Sequence, residues 1–177
     1  MVHMSLVTAR LVVLVSLVAM SASVPLPGLA QSASDPFNGS WRLNQARSAT
    51  AWQSHPQPKR SVPEPQAHGL ITMTIAGETL QYRVEHGTGT GQPGRASYTA
   101  SYNDAKWQPV QGTPERRFAS VTLVKINDRQ HYWVMRTQQG QFAGLTLRRM
   151  ADDGRSFSSV GIDPDGYVQY VRVFEKQ

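Results

Sequence analysis

Phe118-Ala-Ser-Val-Thr-Leu-Val-Lys-Ile126, His131-Tyr-Trp-Val-Met-Arg-Thr137 and Gln141-Phe-Ala-Gly-Leu-Thr-Leu-Arg-Arg149 decide the fold class. Each run is rich in β-branched, aromatic and aliphatic residues, and Asn127-Asp128 and Gln139-Gly140 stand between them as turn signals. Short β-prone runs separated by residues that tolerate tight turns predict antiparallel hairpins. The series continues to the C-terminus. Asp152-Asp-Gly154 is a turn, Ser156 to Ile162 a strand, Asp163-Pro-Asp-Gly166 a turn, and Tyr167 to Glu175 the last strand.

Towards the N-terminus the pattern holds. Ala96-Ser-Tyr-Thr-Ala-Ser-Tyr102 alternates, with Tyr98 and Tyr102 on one side. Thr79-Leu-Gln-Tyr-Arg-Val-Glu85 sets Leu80, Tyr82 and Val84 against Gln81, Arg83 and Glu85, the signature of a strand with one buried and one wet face. Leu70 to Ile75 and Ser40 to Asn44 are further strands, and Trp107 to Val110 is a short extended piece. The expected fold is all-β, a single antiparallel up-and-down barrel of about 8–10 strands, because closure removes the edges that a flat meander leaves. Gln45 to Gly69 interrupts the series. Pro56, Pro58, Pro63 and Pro65 mark it as a long surface loop, with one helical turn at Gln45-Ala-Arg-Ser48.

The chain has 177 residues, no cysteine and a formal net charge of +6, with 40% hydrophobic and 17% charged residues. That is the composition of a globular domain. It excludes a disulfide, a thiolate metal site, an iron–sulfur cluster and a cysteine nucleophile. Residues 1–30 are expected to be an export signal. Arg10 precedes the apolar run Leu11 to Met20, Val24-Pro-Leu-Pro-Gly28 breaks it, and Gly28-Leu-Ala30 offers small residues for cleavage. The domain is then 31–177, exported to the periplasm or secreted.

Asp35-Pro-Phe-Asn-Gly-Ser-Trp-Arg-Leu-Asn-Gln-Ala-Arg-Ser48 resembles the opening of a group of small secreted bacterial proteins described as lipocalin-like. Their first strand carries Phe-x-Gly-Thr-Trp-Lys-Leu-Asn followed by Ala-Lys-Ser. The likeness continues at Tyr98-Thr-Ala-Ser-Tyr102, Pro109-Val-Gln-Gly-Thr-Pro114, Ala151-Asp-Asp-Gly-Arg155 and Val173-Phe-Glu-Lys176. It implies a barrel of the lipocalin or calycin kind and no catalytic residue. It also implies a basic residue of the last strand packed on the first-strand tryptophan, and both Arg172 and Lys176 suit that place against Trp41. Independently of the resemblance, Phe37 and Trp41 stand where the chain enters its first strand, where large aromatics usually plug a core.

No catalytic constellation is expected. There is no Gly-x-Ser-x-Gly elbow, and Ser156, Ser158 and Ser159 lie in a strand beside no histidine. His55, His68, His86 and His131 form no metal-ligand spacing, and a meeting of His68 and His86 at the open end of their hairpin is read as chance contiguity of exposed histidines. The Asp-Gly turns lack the ligand series of a calcium loop. Glu78, Glu85, Glu115 and Glu175 are scattered. No metal, cofactor or nucleic acid is expected. The basic balance, with a pI near 10.0, is read as surface charge suited to solubility or to an anionic envelope surface.

Two function classes remain. One is a non-catalytic binder of a small apolar or amphipathic ligand, with Tyr82, Tyr98, Tyr102 and Trp133 lining the interior. The other is a cell-envelope module that contacts a protein or anionic surface through its long loop and basic face. The oligomeric state stays open.

Overall fold

The computed structural model describes residues 34–59, 68–87, 94–112 and 118–177. The expected export segment lies outside the described residues, as do Arg60, Glu115, Arg116 and Arg117. The strands are β1 (Gly39–Asn44), β2 (His68–Ala76), β3 (Thr79–Gly87), β4 (Gly94–Ser101), β5 (Gln108–Pro109), β6 (Gln111–Gly112), β7 (Ser120–Asn127), β8 (Gln130–Arg136), β9 (Phe142–Met150), β10 (Ser156–Ile162) and β11 (Val168–Lys176). They form one antiparallel sheet in the order β5-β7-β8-β9-β10-β11-β1-β2-β3-β4-β6. Nine are long; of the two short ones β5 lies in the expected extended piece Trp107 to Val110 and β6 follows just beyond it.

Those two pieces nearly close the barrel. β4 and β7 run parallel and touch through a bridge between Tyr102 and Leu123, where the Asn103 amide donates to the Leu123 carbonyl at 2.9 Å. Beyond that bridge residues 108–112 fill the gap between them. Gln108 and Pro109 pair with Val121 and Ser120, and Gln111 and Gly112 pair with Ser97 and Ala96. The seam therefore has hydrogen-bond partners on both sides, and neither β4 nor β7 is left as a bare edge.

Residues 45–54 are not a loop. α1 spans Gln45–Ser54, a full ten residues, with Asn44 as its N-cap accepting from the Arg47 amide at 2.9 Å. β1 leaves the sheet at Asn44, and α1 takes over its pairing role on β11. Ser48 Oγ accepts from the Val173 amide at 2.9 Å, Arg47 pairs with Glu175 at 2.9 Å, and the Val168 amide donates to the Pro58 carbonyl at 2.9 Å. The Lys59 ammonium donates to the Trp52 and Gln53 carbonyls at 2.9 and 3.2 Å, which caps the helix C-terminus with positive charge.

The opening motif Asp35-Pro-Phe-Asn-Gly-Ser-Trp41 shuts one end of the barrel. Asp35 pairs with Lys125 at 3.1 Å. The Asn38 side chain donates to the Ile75 carbonyl at 3.2 Å and accepts from the Ile75 amide at 2.5 Å, so it acts as a short extension of the sheet. Phe37 and Trp41 are buried with Phe157, Phe174 and Met150. Trp41 Nε1 donates to the Phe37 carbonyl at 2.9 Å, and the Trp41 and Phe157 rings meet edge to face at 5.0 Å. The basic residue over Trp41 is Lys176, whose ammonium is 5.2 Å from the ring centre. Arg172 does not take that place. It points into the barrel two residues before Phe174 and stacks on Tyr170 at 3.9 Å.

Candidate functional site

Strand alternation sets the barrel interior. β9 turns Gly144, Thr146, Arg148 and Met150 inward, and register carries this round to Trp133 and His131 on β8 and to Phe157, Ser159 and Gly161 on β10. Leu145 and Leu147 face outward with Tyr132, Val134, Val160 and Ile162, all half-buried. Arg148 is thus inside the barrel and 1% exposed, although its basic character reads as surface charge in the sequence.

The Arg148 guanidinium sits among aromatic faces. Its carbon lies 4.3 Å from the Trp133 ring centre, 4.6 Å from Tyr82 and 5.8 Å from Phe157, distances at which a cation is attracted to a ring face. Tyr82 stacks on Tyr98 at 4.8 Å, and both approach Trp133, at 4.9 and 5.4 Å. Three of the four residues expected to line the interior, Tyr82, Tyr98 and Trp133, thus lie together. Trp133, whose face the alternation of its own strand leaves undecided, points inward and is buried. Tyr102 lies apart from them, towards the shut end. Its hydroxyl meets His131 Nδ1 at 3.2 Å and its ring lies 5.8 Å from the Lys125 ammonium.

Several polar atoms around Arg148 are buried with no hydrogen-bond partner among the described residues: Arg148 Nε, Trp133 Nε1, Tyr98 Oη and His131 Nε2. The guanidinium approaches the Tyr82 and Tyr98 hydroxyls, and its Nη1 donates to the Met73 sulfur at 3.6 Å, a weak acceptor. Buried polar groups normally find partners, so a group of unsatisfied ones marks a site with something to hold. Burial pushes the Tyr98 hydroxyl well above the ordinary tyrosine range, with the Arg148 charge acting the other way, so Tyr98 stays a neutral hydroxyl. Ser159 lies between Arg148 and Arg172 in the register, and Tyr170 reaches over Gly161 to meet Thr146 at 2.7 Å. A Cβ at Gly161 would fall 2.2 Å from the Tyr170 ring, so only glycine leaves that ring its place.

His131 is buried. It lies 4.3 Å from the Phe37 ring, and its pKa is held well below 6.5 by burial first, then by the Arg148 and Lys125 charges. The unfolded chain therefore takes up a proton as pH falls through about 6.5 while the folded chain does not, and stability declines on the acid side of that value. This one group is expected to remove up to about 1.4 kcal/mol of unfolding free energy per pH unit below about pH 6. Denaturant unfolding of the wild type and His131→Phe across that range checks it. The variant should show the shallower pH dependence, and parallel curves would rule the histidine out.

His68 and His86 sit on neighbouring strands but on opposite faces, each packed over a cross-strand glycine, Gly87 and Gly94 respectively. Among the described residues no three His, Asp or Glu side chains gather as a metal site requires. Asp163 and Asp153 serve their turns. Asp163 Oδ1 accepts from the Asp165 and Tyr167 amides at 3.0 and 2.9 Å, and Asp153 Oδ1 from the Arg155 amide at 2.8 Å. Two cavities lie outside the barrel. One of about 490 Å³ runs along the polar outer face of β2–β4, over Thr72, Thr74, Gln81, Arg83 and Thr99, with Gln108 at its side, and Tyr82 and Tyr98 also contribute to its lining. The other, about 320 Å³, lies between α1 and the β9–β10 turn beside Arg47, Arg149 and Ser158. No helix among the described residues is long and apolar enough to cross a membrane. No protein-family model matches the chain, and no curated protein matches it.

Proposed function

We propose that the protein is a non-catalytic carrier that takes a small amphipathic molecule into its barrel, with the polar end towards Arg148. The observation that carries this reading is the group of unsatisfied polar atoms, Arg148 Nε, Trp133 Nε1 and Tyr98 Oη, set between the faces of Tyr82, Tyr98 and Trp133. Aromatic faces with a few convergent polar groups are the usual lining of a small-molecule site. The shut end under Trp41 gives such a site a floor. Tyr82 stacks on Tyr98 where the body of the ligand would lie, so binding is expected to part that stack. The resemblance to secreted lipocalin-like proteins and the pattern of residues 1–30 support the same reading, with the barrel exported to the periplasm or secreted.

The test is a titration with fatty acids, isoprenoids and aromatic dyes while tryptophan emission is followed. A saturable change at micromolar concentration, lost in Tyr98→Ala, is expected. If no compound saturates, or if Tyr98→Ala binds as the wild type does, the reading fails. A second reading, a surface that docks on a partner, is favoured by the apolar outer rows of β7–β10. There Val124, Tyr132, Leu147 and Val160 are register neighbours, as are Val134, Leu145 and Ile162.

A further inference from the structure

We infer that the interior ligand is an anion and that Arg148 is the residue that selects it; this rests on the interior-binding reading above and narrows it to a class of ligand. A guanidinium keeps its charge at any ordinary pH. A charge out of water is normally matched by an opposite one. Arg148 has no ion pair among the described residues. The buried carboxylate, Asp163, is engaged in the β10–β11 turn through the Asp165 and Tyr167 amides. The nearby histidine, His131, is neutral and lends no negative charge.

The unsatisfied atoms closest to the guanidinium are donors. Arg148 Nε and Trp133 Nε1 can only donate, and the neutral Tyr98 hydroxyl is free to do so. A carboxylate or sulfonate oxygen only accepts, and charge-assisted hydrogen bonds to it are the strong kind. A cationic head would be repelled, and a neutral head would leave the guanidinium unmatched. The flat faces of Tyr82, Tyr98 and Trp133 suit a planar or aliphatic body behind that head.

The test compares two dyes of nearly the same body, anilinonaphthalene sulfonate and the uncharged phenylnaphthylamine, by fluorescence titration of the full chain. The wild type should bind the sulfonate at least about tenfold more tightly than the neutral dye. Arg148→Met should abolish that preference by weakening the sulfonate and sparing the neutral dye. Arg148→Lys, which keeps the charge and loses the planar fork, should restore part of it. A thermal unfolding transition for each variant shows that it is folded. Equal affinity for the two dyes in the wild type, or an unchanged preference in Arg148→Met, overturns the anion inference while leaving interior binding intact. If neither dye saturates, interior binding itself fails and the inference falls with it.

Discussion

Trp41→Ala is expected to lower the unfolding free energy by about 3–5 kcal/mol, the cost of truncating a fully buried large aromatic. Trp41 is 0% exposed and holds three things at once. Its ring packs edge-on against Phe157, its Nε1 satisfies the Phe37 carbonyl, and its face carries the Lys176 ammonium. Removing the side chain opens a void beneath the barrel and leaves a carbonyl without its donor, and the two penalties add. Domains of this kind have roughly 5–15 kcal/mol to lose, so the variant should unfold at markedly lower denaturant or not fold at all. Trp41→Phe separates the parts, since it keeps most of the apolar contact and loses the hydrogen bond. It should fall between wild type and Trp41→Ala. A loss below about 1 kcal/mol in Trp41→Ala would place the residue outside the core and reopen it as a binding residue.

Where one face of a strand is apolar and the other wet, the sequence is enough to assign the faces. Leu80, Tyr82 and Val84 alternate with Gln81, Arg83 and Glu85, and Leu80 and Tyr82 are buried while Gln81 and Arg83 are exposed. The turn residues likewise mark the hairpins from β7 to β11. The rule fails on β9 because both faces there are mixed. Leu145 and Leu147 look like the core side and face outward, while Thr146 and Arg148 look like the wet side and face inward. Hydrophobic alternation measures burial, and it gives the wrong face where a barrel holds polar groups inside and apolar rows outside. The neighbour with an unambiguous inward residue, Phe157, fixes the face of its partner Met150 and so of Arg148, but only once register is known.

α1 was hidden for a different reason. It buries no residue fully, and no apolar stripe runs along it. Its first turn is announced by Asn44, yet its length is set by tertiary contacts from Ser48 and Arg47 to β11, which local sequence does not encode. The choice between Arg172 and Lys176 over Trp41 was open in the same way. Both are on β11 with the same parity, and only the pairing of Trp41 with Lys176 decides it.

Arg148→Met is expected to stabilise the unliganded protein, by about 1–2 kcal/mol. Replacing buried charge by an apolar side chain of similar volume is often neutral or stabilising by about 1–4 kcal/mol, because the desolvation of the charge is no longer suffered. The gain should sit low in that range, since the change also gives up the attraction of Trp133, Tyr82 and Phe157 for the guanidinium. Methionine fills the space left beside Met73 without leaving an unsatisfied donor. Denaturant unfolding of the two proteins without ligand gives the sign. A residue present for structure should lose stability when replaced, and one present for binding should gain it, because a site held ready for an anion is strained until the anion arrives. A loss of more than about 1 kcal/mol would therefore make the aromatic cage around Arg148 a structural device and remove its claim to a ligand. A gain in stability together with a loss of sulfonate preference would tie the cost of burying the charge to the task of recognising its opposite.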